Sequence, residues 1–425
     1  MQNRVLAEDV CFLALQDERF KTARLTISLF VPLKEETAAL YALMPELLSH
    51  ATARLPDMIA VHRELSRLYG ATVSSGVQRL GDHQVLSLGV SCIRNEFALQ
   101  GEDVALSCAK LLTEMLFSPH LSADGMFDAA DVQQEKRCLL ENIASIINDK
   151  RAYARMRGDM LLADGEAYGI PVFGTVTTAQ AITREAVTDA WKTLLKTAVI
   201  QCIYSGPDDG EAIAAHIQDA FADVERQPFA GETQTAYTVP AQPRTACEYM
   251  QVGQAKLTMG FRLPVHEPQG QLVATARLMS ALYGSAPVSL LFRNVREKMS
   301  LCYYCGSVYD RVKGVMTVDS GVDAANVQRA KTEILHQLDM IRNGEFTDEE
   351  LENSRRRLVD SIRNNENRQG SIFAWYMGQA LHPPFRTVSE TVAMIEQVTK
   401  ADIVQLAKEV SLVSVFVLLP EEDAV

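Results

Sequence analysis

Apolar residues recur along this chain with two different spacings, and the alternation between them sets out its elements. Cys11–Leu15 and Ala23–Leu33 are apolar-rich runs separated by the charged stretch Asp17–Lys21, which predicts two strands joined by a turn. Leu40, Leu43, Met44, Leu47 and Leu48 then fall at helical spacing and predict a helix over 36–50. A second helix is expected over 56–68, opened by Pro56. The turn Tyr69-Gly70-Ala71 leads into a strand pair over 72–77 and 84–90. Helical patterns follow over 100–117, 127–148, 153–162 and 183–196, then a buried strand over 198–204 and a helix over 212–221.

The pattern then lapses. Residues 226–245 are rich in Pro, Gly, Thr and Gln and show no apolar period, so they are expected to form a linker. Beyond it the first half is repeated. Arg24–Leu33, RLTISLFVPL, lines up with Lys256–Val265, KLTMGFRLPV, and both are followed by an apolar helix, a second helix, a turn and a strand. The charged helix over 127–148 has its counterpart over 346–365, which opens on the capping box Thr347-x-x-Glu350. The expectation is an α+β protein of two homologous domains, residues 1–225 and 246–425, each a mostly antiparallel sheet with helices packed on it.

Composition narrows the functions. The chain has 425 residues, enough for two domains of ~200 residues. Its net charge of −13 argues against nucleic acid or an anionic membrane as a general partner. No run of about 18 apolar residues occurs, and the first ten residues have no apolar signal-peptide core, so no membrane association is expected. The eight cysteines are scattered without a paired framework, which suits reduced thiols and a cytoplasmic location. No phosphate-binding glycine loop, dinucleotide fingerprint or serine-hydrolase elbow is present.

The most informative stretch is 290–304, LLFRNVREKMSLCYY. Val288, Leu291, Phe292 and Val295 form a helical apolar face, Arg296 and Lys298 fall in the last turn, and a strand begins at Leu301. Read on these residues alone, Arg296 and Tyr303 are a surface arginine and a half-buried strand tyrosine, with a guanidinium and phenol at the mouth of one cleft as the second reading. The segment resembles the C-terminal-domain signature of the pitrilysin/insulinase family of zinc peptidases. That resemblance implies a duplicated metallopeptidase-like fold and a substrate-binding, oxyanion-stabilising role for Arg296 and Tyr303. Tyr304 is the neighbour that takes this role if the register slips by one, and Ser300 stands where the family has Gly.

Active members of that family carry H-x-x-E-H on the first long helix, two His ligands and a water-activating Glu, with a distant Glu as third ligand. Here the resemblance places Glu46 at the first His, Ser49 at the Glu, His50 at the second His and Asn142 at the distant Glu, with Glu141 one residue away. No zinc on this chain is therefore expected; an altered site built from Glu46, His50 and Glu141 is the alternative. The resemblance implies a zinc-less subunit that pairs with a homologous zinc-bearing subunit, or with itself, and acts on a peptide substrate. The alternatives are a non-proteolytic scaffold or peptide-binding subunit, and an independent peptidase with an altered metal site. Three lesser features read as structural. Cys302-x-x-Cys305 looks like a redox or metal half-site, but residues three apart in a strand point to opposite faces. Arg355-Arg356-Arg357 reads as a solvated helix face, with a surface for acidic groups as the second reading. Phe373, Trp375, Tyr376 and Phe385 read as packed aromatics.

Overall fold

A computed structural model describes residues 2–231 and 239–421. It is an α+β protein whose described residues form two compact units, 2–144 with 170–231 and 145–169 with 239–421.

The first unit is built on a six-stranded sheet: β1 (Gln2–Ala7), β2 (Val10–Gln16), β3 (Thr22–Pro32), β4 (Thr72–Leu80), β5 (His83–Ile93) and β6 (Val199–Gly206). The spatial order is β1-β2-β6-β3-β5-β4, antiparallel throughout except for the parallel pair β2–β6. Strands β2 and β3 match the two expected apolar runs to within one residue at each end. The edge strand β1 escapes a hydrophobic reading because it opens on Gln2, Asn3 and Arg4 and is largely exposed. Helix Glu35–His50 turns Leu43, Met44, Leu47 and Leu48 into the core beside helix Val104–Phe117. That core also takes Trp191, whose indole N–H donates to the Leu116 carbonyl at 2.7 Å.

The second unit is built on five strands: β7 (Arg244–Met250), β8 (Ala255–Arg262), β9 (Cys302–Asp310), β10 (Val315–Val322) and β11 (Ser411–Pro420). Their order is β7-β11-β8-β10-β9, again antiparallel except for one parallel pair, β7–β11. Set beside β2-β6-β3-β5-β4, the order and the strand directions match position for position. The repeat read between residues 24–33 and 256–265 is thus the central strand of each sheet, β3 and β8. The capping box holds as well: Thr347 and Glu350 exchange side chain-to-backbone bonds of 2.7 and 3.1 Å at the start of helix Asp348–Arg363.

Two details differ from the sequence expectation. Strand β7 begins at Arg244, inside the stretch read as linker, where its alternating exposure hides a strand among Pro and Thr; residues 232–238 of that stretch lie outside the described residues. Helix Lys150–Leu162, expected within a continuous domain 1–225, belongs to the second unit. The reason is a fitted surface. Ala154 packs against Phe416 and Leu418 of β11, Arg157 and Tyr153 share Glu248 of β7 at 2.6 and 2.8 Å, and Gly158 lies over Thr258 of β8.

A Cβ at Gly158 would stand 2.4 Å from the Thr258 methyl. Gly158→Ala should therefore destabilise the protein by about 1–3 kcal/mol, read as a fall in the urea midpoint. Adding Thr258→Ser, which removes that methyl, should recover part of the loss. An unchanged midpoint in the single variant would contradict this packing.

Candidate functional site

The stretch 291–304 folds as the sequence suggests, with one irregularity that decides its geometry. Leu291–Lys298 is a widened helical segment with Leu291 and Val295 buried. Its carbonyls are closed off by Met299 N–H to Asn294 and Leu301 N–H to Val295, each at 3.1 Å. Ser300 turns the chain in the left-handed region, φ 50°. That conformation costs an L-residue about 1–2 kcal/mol and glycine nothing comparable, which accounts for a family preference for Gly at this place.

Strand β9 is the edge of its sheet, and its ladder with β10 slips at the start. Cys302 faces Val322 and Tyr304 faces Gly321, so Tyr303 is the extra residue of a β-bulge. The bulge throws Tyr303 outward, 63 % exposed, while Leu301 and Cys302 stay buried. Tyr303, Arg296, Ser300, Cys302 and Asp323 line one open depression of about 460 Å³. The Arg296 guanidinium lies 4.7 Å from the Phe292 ring centre, held over its face. On its other side Tyr303 borders a second depression of about 390 Å³, formed with Lys150, Lys256 and the turn Gln251–Gln254. Tyr304 lines neither. Its ring is covered by Arg151 at 4.1 Å and Lys256 at 5.8 Å, and burial, with Asp319 close by, pushes its phenol up to about 12.

The bulge also corrects the expectation for Cys302 and Cys305. In a regular strand the two thiols would face opposite sides; with one extra residue between them both are buried free thiols in mutual hydrogen-bond contact. A hydrogen bond from Cys305 lowers the Cys302 thiol to about 7 against the opposing effect of burial, with smaller help from Ser320 and Arg296. Of the three arginines, Arg355 is not solvated: its guanidinium caps the Ile395 and Val398 carbonyls, the latter at 2.8 Å. Arg356 is exposed and 3.5 Å from Glu352. Trp375 donates to the Arg386 carbonyl at 2.9 Å, and Tyr376 meets Phe385 edge-on at 6.1 Å, a packed cluster as read.

The degenerate zinc positions lie in the first unit. Glu46, Ser49 and His50 occupy the last turn of helix Glu35–His50, and each has another partner. Glu46 Oε1 accepts from the Ser75 hydroxyl at 2.6 Å, the Ser49 hydroxyl donates to the Glu46 carbonyl at 2.8 Å, and His50 Nε2 stands 3.5 Å from Glu135 Oε1. Asn142 and Glu141 are exposed on helix Ala129–Ser145. Among the described residues no three His, Cys, Asp or Glu side chains are placed to share a metal ion. The residues present do not fit zinc. Glu135 was missed by sequence reasoning, although it was legible: it sits on the buried stripe Val132–Glu135–Leu139, two turns before Asn142. Burial raises its carboxyl above the usual range; His50 opposes this, and Glu46 and Asp131 reinforce it.

This is a duplicated α+β fold of the metallopeptidase type, with no metal-donor cluster among its described residues and an exposed Arg–Tyr pair. Residues 181–358 match the family model described as the Peptidase M16 inactive domain. The chain is 27% identical over 411 residues, 96% of each chain, to "Probable inactive metalloprotease YmfF" of Bacillus subtilis (strain 168). Among solved structures it is similar to a conserved protein from Enterococcus faecalis V583 (TM-score 0.89, 25% identity, 99% and 98% of the two chains). It shares its fold with a protease from Helicobacter pylori (TM-score 0.80, 13% identity, 99% of each chain). The chain is thus similar over nearly its whole length to a relative named an inactive metalloprotease, and residues 181–358 match an M16 inactive-domain model.

Two outcomes test this geometry. Ser300→Gly should stabilise the protein by about 0.5–1 kcal/mol, because glycine adopts the left-handed turn without the Cβ penalty; a destabilised variant would contradict the turn. Glu135, a carboxyl raised in the folded state, contributes stability only below its unfolded value and loses it as pH rises through the folded value. Glu135→Gln should thus melt like the parent at about pH 4 and above it at about pH 7. A lower melting temperature at pH 7 would mean that the His50 contact outweighs burial.

Proposed function

We propose that this chain is the zinc-less subunit of a two-chain M16-type peptidase, binding peptide through Arg296 and Tyr303 while a homologous partner holds the metal. The observation that carries the reading is a contrast within the chain. Its own metal positions are occupied by other contacts, Glu46 with Ser75 and His50 with Glu135, yet Arg296 and Tyr303 line one open depression with no ion-pair partner among the described residues. A homodimer would bring no zinc site to the assembly, so the partner is a different chain bearing intact H-x-x-E-H.

In this reading the guanidinium of Arg296 donates to a substrate carbonyl, a charge-assisted bond that orients the peptide. The Tyr303 hydroxyl donates to the oxygen on which negative charge develops during acyl transfer. Two depressions meeting at Tyr303 let an extended peptide run past the phenol on both sides.

The test is reconstitution with a zinc-bearing homologous chain. Tyr303→Phe keeps the ring and removes one donor, so kcat should fall by ~10²–10³ with folding and association unchanged. Arg296→Ala should chiefly raise KM, and Tyr304→Phe should be near silent. Elemental analysis should place the zinc in the complex and well under one equivalent on the isolated chain. Full activity of the Arg296→Ala, Tyr303→Phe double variant would leave the scaffold reading, and a full equivalent of zinc lost on His50→Ala would restore an altered metal site.

A further inference from the structure

Away from the Tyr303 groove, the second unit holds a small, partly open cavity of about 20 Å³ lined by three arginines. Arg277 comes from the last turn of helix Gly270–Ser280, Arg311 from the turn between β9 and β10, and Arg386 from the segment before helix Val388–Gln397. One carboxylate, Glu267, pairs with two of them. Arg311 Nε is 3.2 Å from Glu267 Oε1 and Arg386 Nη1 is 2.9 Å from Oε2, so each oxygen is already taken by one guanidinium. Both arginines also donate to carbonyls, Arg311 to Gly378 at 3.2 Å and Arg386 to Pro268 at 2.7 Å.

Arg277 has no carboxylate or carbonyl partner among the described residues; its one polar contact is the face of Trp375, 5.3 Å away. Burial first, and Arg311 second, push it down to about 10, against the pull of Glu267 and Tyr309. It still remains charged at neutral pH. Three positive charges and one negative charge therefore surround a space only partly open to bulk water. An unpaired enclosed charge is costly unless a counterion or polar atoms compensate it. The other polar groups of the wall are engaged: Gln379 exchanges bonds with Arg386 N–H and C=O, and Thr391 donates to the Thr387 carbonyl at 3.1 Å.

We propose that the Arg277–Arg311–Arg386 cavity is a binding site for a small monovalent anion, chloride being the natural occupant. Size and charge both select it. A space of about 20 Å³ admits one or two water-sized particles, since a water needs roughly 10–15 Å³ by the same measure. A monatomic halide fits such a space whole, whereas a carboxylate, phosphate or sulfate would project out of it toward solvent. The excess charge of the wall leaves room for one negative ion with charge to spare. Bound there, the anion ties together helix Gly270–Ser280, the β9–β10 turn and the segment carrying Arg386.

The test uses the full chain. Crystals equilibrated in sodium bromide should show an anomalous peak among the three guanidinium groups. In solution, replacing sodium gluconate by sodium chloride at constant ionic strength should raise Tm by about 2–5 °C in a saturating manner, as expected for a ligand of the folded state. Arg277→Met, which keeps the apolar stem, should melt without this chloride dependence. The proposal is overturned by water-like density with no anomalous signal, or by a bromide peak unaccompanied by any chloride effect on Tm. An equal chloride response in Arg277→Met overturns it too. Should that variant not fold, the bromide map together with the parent's chloride titration decides the question.

Discussion

One slip in a hydrogen-bond ladder organises the edge of the second sheet. Between Gly321 and Val322 the pairing of β10 with β9 loses step, and Tyr303 is the residue left over. Everything around it follows. The residue before the bulge, Cys302, is buried, the bulged residue points to solvent, and Tyr304 is carried under Arg151 and Lys256. Because β9 is an edge strand, no further strand competes for the space Tyr303 enters. Because Ser300 makes a left-handed turn immediately before it, the helical segment that carries Arg296 comes to line the same depression. Without the slip, alternation would exchange the places of the residues before and after it, and the phenol and guanidinium would not share a groove.

The two sheets show how one architecture carries unequal chemistry. Both use the same five-strand order and the same single parallel pair. What separates them is which positions remain free. In the first unit the helix end carrying Glu46 and His50 is closed by Ser75 and Glu135, and the apolar side of that helix is what holds it in place. A metal site there would require three donors converging on a point; the fold does not. The fold itself therefore needs no metal donors, and a TM-score of 0.80 to a protease from Helicobacter pylori coexists here with no set of metal donors among the described residues.

Much of this was legible in the sequence, for reasons that can be named. The central strands were visible because β3 and β8 are apolar runs that recur with the same order of residues, RLTISLFVPL and KLTMGFRLPV. The helices were visible from spacing and caps, Thr347 with Glu350 above all. Strands β1 and β7 were not: β1 opens on polar residues, and the first residues of β7 fall in the stretch expected as linker. Helix Lys150–Leu162 was visible as a helix but not as part of the second unit: its fit rests on Gly158 over Thr258 and on Glu248, contacts about 90–100 residues apart in sequence. Of the site, Arg296 and Tyr303 could be read as a pair, whereas the bulge that separates Tyr303 from Tyr304 depends on β10, and no local pattern announces it. Glu135 was passed over because a carboxylate on an apolar stripe is easily taken for an exposed turn of helix.

The two halves of a peptidase site differ in how they fail, and this bears on why one can persist without the other. A metal locus is cooperative: its donors must be present together, in the right type and at the right distance, so replacing two of them removes the function and releases the rest to other contacts. Oxyanion and backbone donors act more nearly one by one, each contributing its own factor to the rate. A chain that has lost the first can still contribute the second, provided the donors stay solvent-accessible and unpaired. On the function proposed above, Arg296 and Tyr303 meet that condition among the described residues through backbone geometry alone: a left-handed residue, a bulge and an edge strand. These are features of the second sheet itself and owe nothing to the positions where the first unit lacks its ligands.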